Sequence, residues 1–200
     1  MVGEPVLWKM KRAFQLQFLR KQSLRKQDYL LDMGCGTLRG GIPLIQYLEE
    51  GHYYGVDVRE EVLKEAVREM KEARLNHKRA HLVLLTNEAD LDLKREFDVV
   101  WAFSVLIHLS DEKVSEFMKL VARHLKRGGR FFANVNETDR PMDVGEWQGF
   151  PLVARPLSFY AGEARKASLE MHDLGLLSSC GHASQDAEQD RQRMVIFEKQ

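Results

Sequence analysis

The segment Leu31-Asp32-Met33-Gly34-Cys35-Gly36 joins an apolar run to a turn with a glycine at each corner. Gly34 and Gly36 can adopt positive φ and have no Cβ, so a ligand can contact the main chain at this turn. Asp32, two residues before the first glycine, favours a ligand that carries an ammonium or sulfonium group. The segment therefore predicts a buried strand whose carboxyl end meets a positively charged ligand.

A dinucleotide-binding unit also begins with a strand, a glycine-rich turn and a helix, so the turn alone leaves NAD as an alternative ligand. That unit requires Gly-x-Gly-x-x-Gly, whereas the glycines here stand at positions 34, 36, 40 and 41, and the third comes one place late. The carboxylate of Asp32 would also repel a pyrophosphate. An ordinary turn without a ligand is the third interpretation.

Length and composition are those of one soluble domain spanning residues 1–200. Hydrophobic residues make up 44% of the chain, charged residues 30%, and the formal net charge is zero, so bulk electrostatics predict no nucleic-acid or membrane partner. Cys35 and Cys180 form neither a metal-binding spacing nor a disulfide framework, so we expect no metal site and a reducing, cytoplasmic compartment. The chain shows no apolar run of the ~20 residues that span a membrane and no signal-peptide block.

Residues 1–27 predict an amphipathic N-terminal helix. Seven Lys or Arg and no acid occur between Lys9 and Lys26, and apolar residues that include Phe14 and Phe18 recur at helical spacing. The pattern favours a helix that packs on the edge of the domain with its basic face in water. A membrane-surface helix, an organelle presequence and an RNA-binding face are the alternatives.

Apolar periods along the rest of the chain alternate between strand and helix, which predicts an α/β fold with a doubly wound, mostly parallel seven-stranded sheet. The last two strands would form a terminal antiparallel hairpin. The predicted strands are 29–33, 52–58, 81–85, 97–103, 130–135, 176–180 and 193–198. The predicted helices are 42–50, 60–74, 111–127 with Ser110 as the N-cap, and 157–174.

Asp57 lies at the carboxyl end of the second predicted strand, about 20 residues after the glycine turn, where an acid accepts hydrogen bonds from both hydroxyls of a ribose. Ligands of doubly wound sheets bind outside the carboxyl ends of the strands, where the strand order reverses. The spacing therefore predicts a nucleoside site without identifying the cofactor. The alternative role for Asp57 is to cap the following helix.

Four segments between residues 29 and 135 resemble the class I S-adenosylmethionine (SAM) dependent methyltransferases. They are Leu-Leu-Asp-Met-Gly-Cys-Gly (30–36), Tyr-Tyr-Gly-Val-Asp (53–57), Phe-Asp-Val-Val-Trp-Ala (97–102) and Leu-Lys-Arg-Gly-Gly-Arg-Phe-Phe (125–132), in the order and spacing of that family. Segments 38–41 and 104–109 are similar to its branch of small, generically described methyltransferase domains. The resemblance implies a Rossmann-like methyltransferase fold, SAM as cofactor and S-adenosylhomocysteine as product.

The resemblance also assigns roles to residues at the strand ends. A side chain after the third strand, Asn87 or Glu88, would lie near the adenine amino group, with a polar loop that makes no such contact as the alternative. Phe103 would cover the adenine or the methionine part. Arg39 would meet the methionine carboxylate or remain a surface charge. The predicted cofactor-binding set is Asp32, Gly34, Cys35, Gly36, Arg39, Asp57, Val58, Asn87, Glu88, Phe103 and Ser104.

His108 follows the fourth strand, beside the expected position of the transferred methyl group. An imidazole with a pKa near ~6.5 can accept the proton of an oxygen or nitrogen nucleophile, so His108 is the candidate catalytic base. The alternative is a structural histidine in the 106–109 turn. The aromatic stretch 136–157 is the candidate substrate lid, since long irregular segments in compact domains are often functional. Predicted acceptor contacts are Asn136, Trp147, Arg155 and Tyr160. The alternative is a tethering loop whose Trp and Phe side chains fill the core.

The residues as a whole predict a SAM-dependent methyltransferase that acts on O or N of a small-molecule acceptor. The Asn/Asp-Pro-Pro-Tyr motif of adenine- and glutamine-methylating enzymes is missing after the fourth strand, where Ala102-Phe103-Ser104-Val105 stands. An RNA or protein methyltransferase that docks through the basic N-terminal helix is one alternative. A non-catalytic SAM-binding or methyltransferase-like partner subunit is the other, and the sequence predicts no particular oligomeric state.

Overall fold

The computed structural model describes residues 5–87, 91–147, 149–182, 189 and 191–200. Helices alternate with strands through most of this chain. The helices are α1 Pro5–Lys21, α2 Gly41–Tyr47, α3 Glu60–Glu72, α4 Asp111–His124 and α5 Leu157–Lys166, with short 3-10 turns at Asn76–Lys78 and Leu106–His108. The strands are β1 Leu30–Met33, β2 Tyr53–Asp57, β3 His81–Leu84, β4 Phe97–Ala102, β5 Leu125–Val135, β6 Met142–Trp147, β7 Phe150–Ala154, β8 Leu169–Leu176 and β9 Arg193–Lys199.

Within the described residues, seven of these strands form one sheet in the order β3-β2-β1-β4-β5-β9-β8. Strands β1 to β5 pair in parallel, and β9 pairs antiparallel with both β5 and β8. The order reverses at β1, which lies between β2 and β4, and this reversal opens a crevice at the carboxyl ends of the strands. The predicted doubly wound sheet with a terminal antiparallel hairpin is confirmed.

The hydrophobic core lies in two layers, one on each face of the sheet. Neighbouring residues of a strand point to opposite faces, so Leu30 packs in one layer and Leu31 in the other. Helices α1, α2 and α3 cover the first face, and α4 and α5 cover the second. Strands β1, β2 and β4 are thus buried on both faces along most of their length, which explains their nearly continuous apolar sequence, whereas β3 at the edge of the sheet is only partly covered.

Helix α1 packs on the first face of the sheet. Phe14 and Phe18 are buried, and the Phe18 ring lies 5.8 Å from that of Trp101. The indole N–H of Trp101 donates to Oε1 of Gln15 at 2.7 Å, which fixes the helix on β4. The helix ends at Lys21, before the predicted limit of residue 27, because Ser23 adopts a left-handed φ of 65°.

The prediction of one helix over 157–174 is wrong in its second half. Helix α5 ends at Lys166, Ser168 has a φ of 58°, and the chain then forms β8. Strand β8 pairs with β9 from Leu169 to Leu176, with a register shift between Asp173 and Gly175, and this pairing prevails over the local helical spacing. The predicted strand 176–180 is also wrong, since the hairpin partner of β9 lies earlier in the chain.

Two further boundaries differ from the prediction. Helix α4 begins after the Ser110 N-cap as expected, but it ends at His124 because Leu125 is extended and pairs with Phe97 of β4. Gly128, with a φ of 72°, turns the chain inside β5 rather than ending a helix. The segment predicted to be irregular contains the antiparallel hairpin β6–β7.

No helix within the described ranges is long and apolar enough to cross a membrane.

Candidate active site

The turn after β1 lies in the crevice and is held against β2. The amides of Gly34 and Cys35 donate to the carbonyl oxygen of Val56 at 2.7 and 3.0 Å. Both glycines are left-handed, with φ of 76° at Gly34 and 56° at Gly36. A Cβ on Gly34 would lie 2.6 Å from Cγ2 of Val105, whereas no described atom lies within 4 Å of a Cβ on Gly36. The first glycine is therefore required for packing, and the second faces open space.

Asp57 links this turn to the start of α3. Its side chain is buried, its Oδ2 accepts the amide of Gly36 at 3.0 Å, and its Oδ1 accepts the amide of Arg59 at 3.0 Å and Arg59 Nε at 3.3 Å. The alternative in which Asp57 caps α3 is wrong, because Arg59 occupies the N-cap position. The carboxylate thus stands beside the open side of the glycine turn, as the strand-end argument predicts.

Asp32 lies beneath the turn and is shielded from water. Its Oδ2 accepts the hydroxyl of Tyr53 at 2.5 Å. Burial raises the pKa of Asp32 to about 7, and the nearby charge of Asp57 adds to the rise, while the hydrogen bond from Tyr53 opposes it. A cation bound close by would favour the ionised form of Asp32. Sequence analysis missed Tyr53, although it shares a face with Gly55, the residue paired with Asp32.

An open cavity of about 440 Å³ lies beside Asp57, at the carboxyl ends of β2 and β3. Two predicted cofactor residues, Val58 and Asn87, meet there, and Val58 leaves 53% of its surface exposed. Glu88 lies outside the described residues. The cavity is lined by Val58, Glu60, Leu84, Leu85, Thr86, Asn87 and Lys113.

Two of the remaining predicted cofactor residues contact the protein itself. The Phe103 ring stacks on Trp101 at 5.5 Å and lies 5.8 Å from Phe14, so it belongs to the layer beneath α1. Ser104 has a φ of 59°, and its amide donates to Oδ1 of Asn134 at 2.6 Å. This geometry does not support the expectation that the Phe103 ring covers the cofactor, because its neighbours are core side chains.

Cys35 and Arg39 complete the predicted cofactor set. Cys35 is buried, and burial raises the pKa of its thiol, so the side chain is a packing group. A Cβ on Gly55 would lie 2.9 Å from Cys35 Sγ, which shows how closely the turn sits on β2. Arg39 is half-buried in the loop that leads into α2.

His108 ends the 3-10 turn after β4 and lies against the β6–β7 hairpin. Its Nδ1 is 2.9 Å from the carbonyl oxygen of Pro151, and its ring stacks on Trp147 at 5.5 Å with an interplanar angle of 24°. The Phe150 ring lies 6.1 Å away. Burial lowers the pKa of His108; the hydrogen bond to the Pro151 carbonyl opposes this, the positive charge of Arg59 adds to it, and the pKa is lowered on balance. The candidate base is therefore a neutral imidazole near neutral pH.

Arg155 anchors the hairpin to α4. The guanidinium donates to Asp111 at 2.8 Å, to Asp143 at 3.0 Å, and to the carbonyl oxygens of Met142 and Ala154 at 2.9 and 3.0 Å. Tyr160 lies in the core with no exposed surface. The geometry does not support acceptor contacts for these two residues, because one is used to hold the hairpin and the other to fill the core.

The other two predicted acceptor residues lie at opposite ends of the hairpin. Asn136, at its base, donates through Nδ2 to the carbonyl of Val153 at 3.1 Å, and its own carbonyl accepts the amide of Arg155 at 3.1 Å. Trp147, at its tip, leaves 49% of its surface exposed. The tip also touches the cofactor side of the crevice, because the Arg59 guanidinium lies 5.6 Å from the Phe150 ring centroid.

Sequence analysis also missed Arg59, a second residue of the candidate site. It contacts the carboxylate of Asp57, the ring of Phe150 and, through its charge, the imidazole of His108. Its position two residues after an aspartate is typical of a turn in which the carboxylate accepts the later amide, and this signal was available in the sequence.

Known proteins share this architecture. Residues 31–131 match the family model described as a methyltransferase domain. A ubiquinone biosynthesis O-methyltransferase of Nitrobacter winogradskyi is 29% identical over 136 residues, which is 60% of this chain and 48% of the relative. This chain therefore spans about half the length of that curated relative.

Solved structures give the same fold. Magnesium protoporphyrin IX methyltransferase from Synechocystis with bound SAM is 16% identical, with a TM-score of 0.69 over 96% of this chain and 79% of that one. A glycopeptide N-methyltransferase is 14% identical, with a TM-score of 0.72 over 100% of both chains. At sequence identities this low, the similarity to these structures shows a shared fold only. Because the family model covers half of the sequence, this chain belongs to the methyltransferase-domain family and has the class I SAM-dependent methyltransferase fold.

Proposed function

We propose that this chain transfers the methyl group of SAM to an oxygen or nitrogen of a small-molecule acceptor and releases S-adenosylhomocysteine. The observation that carries the proposal is the glycine turn, where open space over Gly36 adjoins the buried carboxylate of Asp57. A ligand can approach bare backbone there and find a hydrogen-bond acceptor for its ribose.

The residues of the crevice fit SAM. A carboxylate offers about four acceptor positions, and in Asp57 three of them are occupied by N–H groups. One ribose hydroxyl would take the fourth position. The other would replace the Arg59 Nε contact, which at 3.3 Å is the longest of the three. The neighbouring cavity with Val58 and Asn87 would receive the adenine. Asp32 beneath the turn would supply negative charge near the cationic end of the cofactor, and Arg39 remains the candidate for its carboxylate.

When bound, SAM supplies a methyl group already activated by the sulfonium. The protein has to align the acceptor and exclude water, and alignment alone contributes about 7–11 kcal/mol. The β6–β7 hairpin covers His108 and contacts Arg59, so it can enclose the acceptor next to the transferred group. His108 would take the proton that the acceptor loses.

The rings at the hairpin tip favour an acceptor with a flat apolar part. The ring centroids of Trp147 and Phe150 lie 5.5 and 6.1 Å from that of His108. Aromatic rings stack well on planar ligands. The similar proteins are named for ubiquinone biosynthesis, magnesium protoporphyrin IX and a glycopeptide, and they include both O- and N-methyltransferases.

Two measurements test this function. Calorimetry should show that SAM and S-adenosylhomocysteine bind the folded chain, and radiolabelled methyl should pass from SAM to phenols or amines in an acceptor panel. A folded chain that binds neither nucleoside would support the non-catalytic alternative. If RNA were the acceptor, its affinity should fall steeply with added salt, and a flat response would exclude it.

A further inference from the structure

The contact between His108 and the hairpin fixes where the imidazole carries its hydrogen. Nδ1 lies 2.9 Å from the carbonyl oxygen of Pro151, and a carbonyl oxygen can only accept a hydrogen bond. The hydrogen must therefore reside on Nδ1. In a neutral imidazole the other nitrogen, Nε2, then holds the lone pair.

The surroundings of His108 keep the ring neutral and hold its orientation. The hairpin presents the uncharged groups Trp147, Phe150 and Pro151, and the charge that acts on His108 from the start of α3 is that of Arg59. Partial burial and a nearby positive charge disfavour the imidazolium form, and together they outweigh the hydrogen bond to Pro151, which favours it. Stacking on Trp147 restricts rotation of the ring plane, so the two nitrogens keep separate environments.

We propose that the Pro151 carbonyl sets His108 as the Nδ1–H tautomer and thereby makes Nε2 the proton acceptor of the reaction. The second part of this proposal rests on the methyl transfer proposed above. As an acceptor O–H or N–H loses its proton to Nε2, its electron pair forms the bond to the methyl carbon. The pair of the broken C–S bond stays on sulfur, and His108 becomes an imidazolium.

This arrangement gives the hairpin a positioning role. The base is correctly set only while Pro151 is seated on Nδ1, and Arg155 is the residue that holds the hairpin on α4. In water a free neutral histidine carries its hydrogen mostly on Nε2, so the fold reverses the preference of the side chain. Such a reversal requires a hydrogen-bond acceptor held close to Nδ1, and the carbonyl oxygen of Pro151 in the hairpin is that acceptor.

The tautomer can be measured directly on the full chain without turnover. With ¹⁵N-labelled histidine, two-bond ¹H–¹⁵N correlations distinguish a protonated ring nitrogen from an unprotonated one. The chain has seven histidines, and His108→Gln identifies the signals of interest by their disappearance. His172, half exposed on β8, serves as the internal reference. Near neutral pH we expect a protonated Nδ1 and a free Nε2 at His108. A hydrogen on Nε2, or on both nitrogens, would overturn the proposal.

Two substitutions separate the roles of the ring nitrogens. The amide nitrogen of His108→Asn stands near the Nδ1 position and can still donate to Pro151, whereas His108→Gln reaches toward Nε2 and leaves the carbonyl without that donor. We expect His108→Asn to preserve hydrogen-exchange protection of residues 142–154 while turnover falls at least about 100-fold. His108→Gln should lose both. Undiminished turnover in His108→Asn would refute Nε2 as the base.

The same experiments distinguish failure of this proposal from failure of the proposed function. If the wild-type chain transfers no methyl group, the methyltransferase function fails, and with it the role of Nε2 as a base. The NMR result still decides whether Pro151 sets the tautomer. If the wild type is active and the tautomer is Nε2–H, the function stands and this inference falls.

Discussion

Alanine at Gly34 and alanine at Gly36 should have different consequences, although both glycines belong to one turn. A left-handed backbone costs an alanine about 1–2 kcal/mol, and both positions have such a φ, 76° and 56°. At Gly34 the new Cβ would also lie 2.6 Å from Val105 Cγ2, and overpacking of this kind costs about 1–3 kcal/mol. We therefore expect Gly34→Ala to lower the free energy of unfolding by about 2–5 kcal/mol, and Gly36→Ala by about 1–2 kcal/mol.

Cofactor affinity should fall more for Gly36→Ala than for Gly34→Ala, although Gly34→Ala loses more stability. The Cβ of Gly36→Ala points into the space that we assign to SAM, so we expect at least a tenfold loss of affinity, or about 1.4 kcal/mol. The matched control is Gly128→Ala, which has a similar φ of 72° and no described atom within 4 Å. It lies near the amino end of β5, away from the crevice, so it should lose stability like Gly36→Ala and bind SAM like the wild type.

Urea unfolding followed by circular dichroism measures the stabilities, and titration calorimetry with SAM measures the affinities. If Gly36→Ala bound SAM as tightly as Gly128→Ala, the cofactor would not lie over this turn. If Gly34→Ala were as stable as Gly128→Ala, the packing of Gly34 against Val105 would be misjudged.

Three further outcomes test other parts of the site. Asp57→Ala should weaken SAM binding by roughly 1–3 kcal/mol in calorimetry, because the ribose loses a charged acceptor, and unchanged affinity would mean that the ribose contact is misassigned. The pKa of Asp32 is raised to about 7, so its contribution to the free energy of unfolding should fall as pH rises from about 4 to about 7. SAM affinity should rise over the same pH range, because the bound cation favours the ionised carboxylate of Asp32. Asp32→Asn should remove both slopes in urea unfolding and calorimetry, and slopes that persist would have another source. Arg155→Gln should cost about 1–3 kcal/mol in unfolding, since the carbonyls that it caps lose their donor, whereas the exposed control Arg140→Gln should change little; equal stabilities would show that Arg155 does not anchor the hairpin.

The central parallel strands β1, β2 and β4 were predictable because they are buried on both faces. Strand β4, predicted as 97–103, runs Phe97–Ala102, and β2, predicted as 52–58, runs Tyr53–Asp57. Continuous apolar runs between polar turns are a local signal that survives without knowledge of the fold. The strand ends then place Asp57 next to Gly36, because parallel neighbours finish at the same edge of the sheet.

Strand β8 could not be predicted in the same way. Leu169 is buried and continues the apolar spacing of α5, whereas residues 170–176 are exposed or partly buried without a regular alternation, at one edge of the sheet. The choice between helix and strand is made by hydrogen bonds to β9, which lies about 20 residues later in the chain. A preference created by a distant partner leaves little trace in the local sequence.

Side-chain direction limits what sequence analysis can say of the site. Arg155 stands in an aromatic segment, where an arginine can bind a ligand or secure a loop, and the composition of the segment suits both. Its four acceptors come from α4, β6 and β7, which are brought together by the fold. Tyr53 and Arg59 were missed for a related reason, since their roles depend on which way each side chain points from the end of β2 or the start of α3.

The two ends of the β6–β7 hairpin meet, because the carbonyl of Asn136 accepts the amide of Arg155. A segment closed at its base can be lengthened, shortened or exchanged without changing the distance between β5 and α5. The hairpin, which we propose encloses the acceptor, is thus a segment that can be exchanged while the strands and helices around it stay in place. Replacing residues 137–154 by the corresponding segment of a relative with another substrate should change the acceptor specificity of this chain and leave its SAM affinity unchanged.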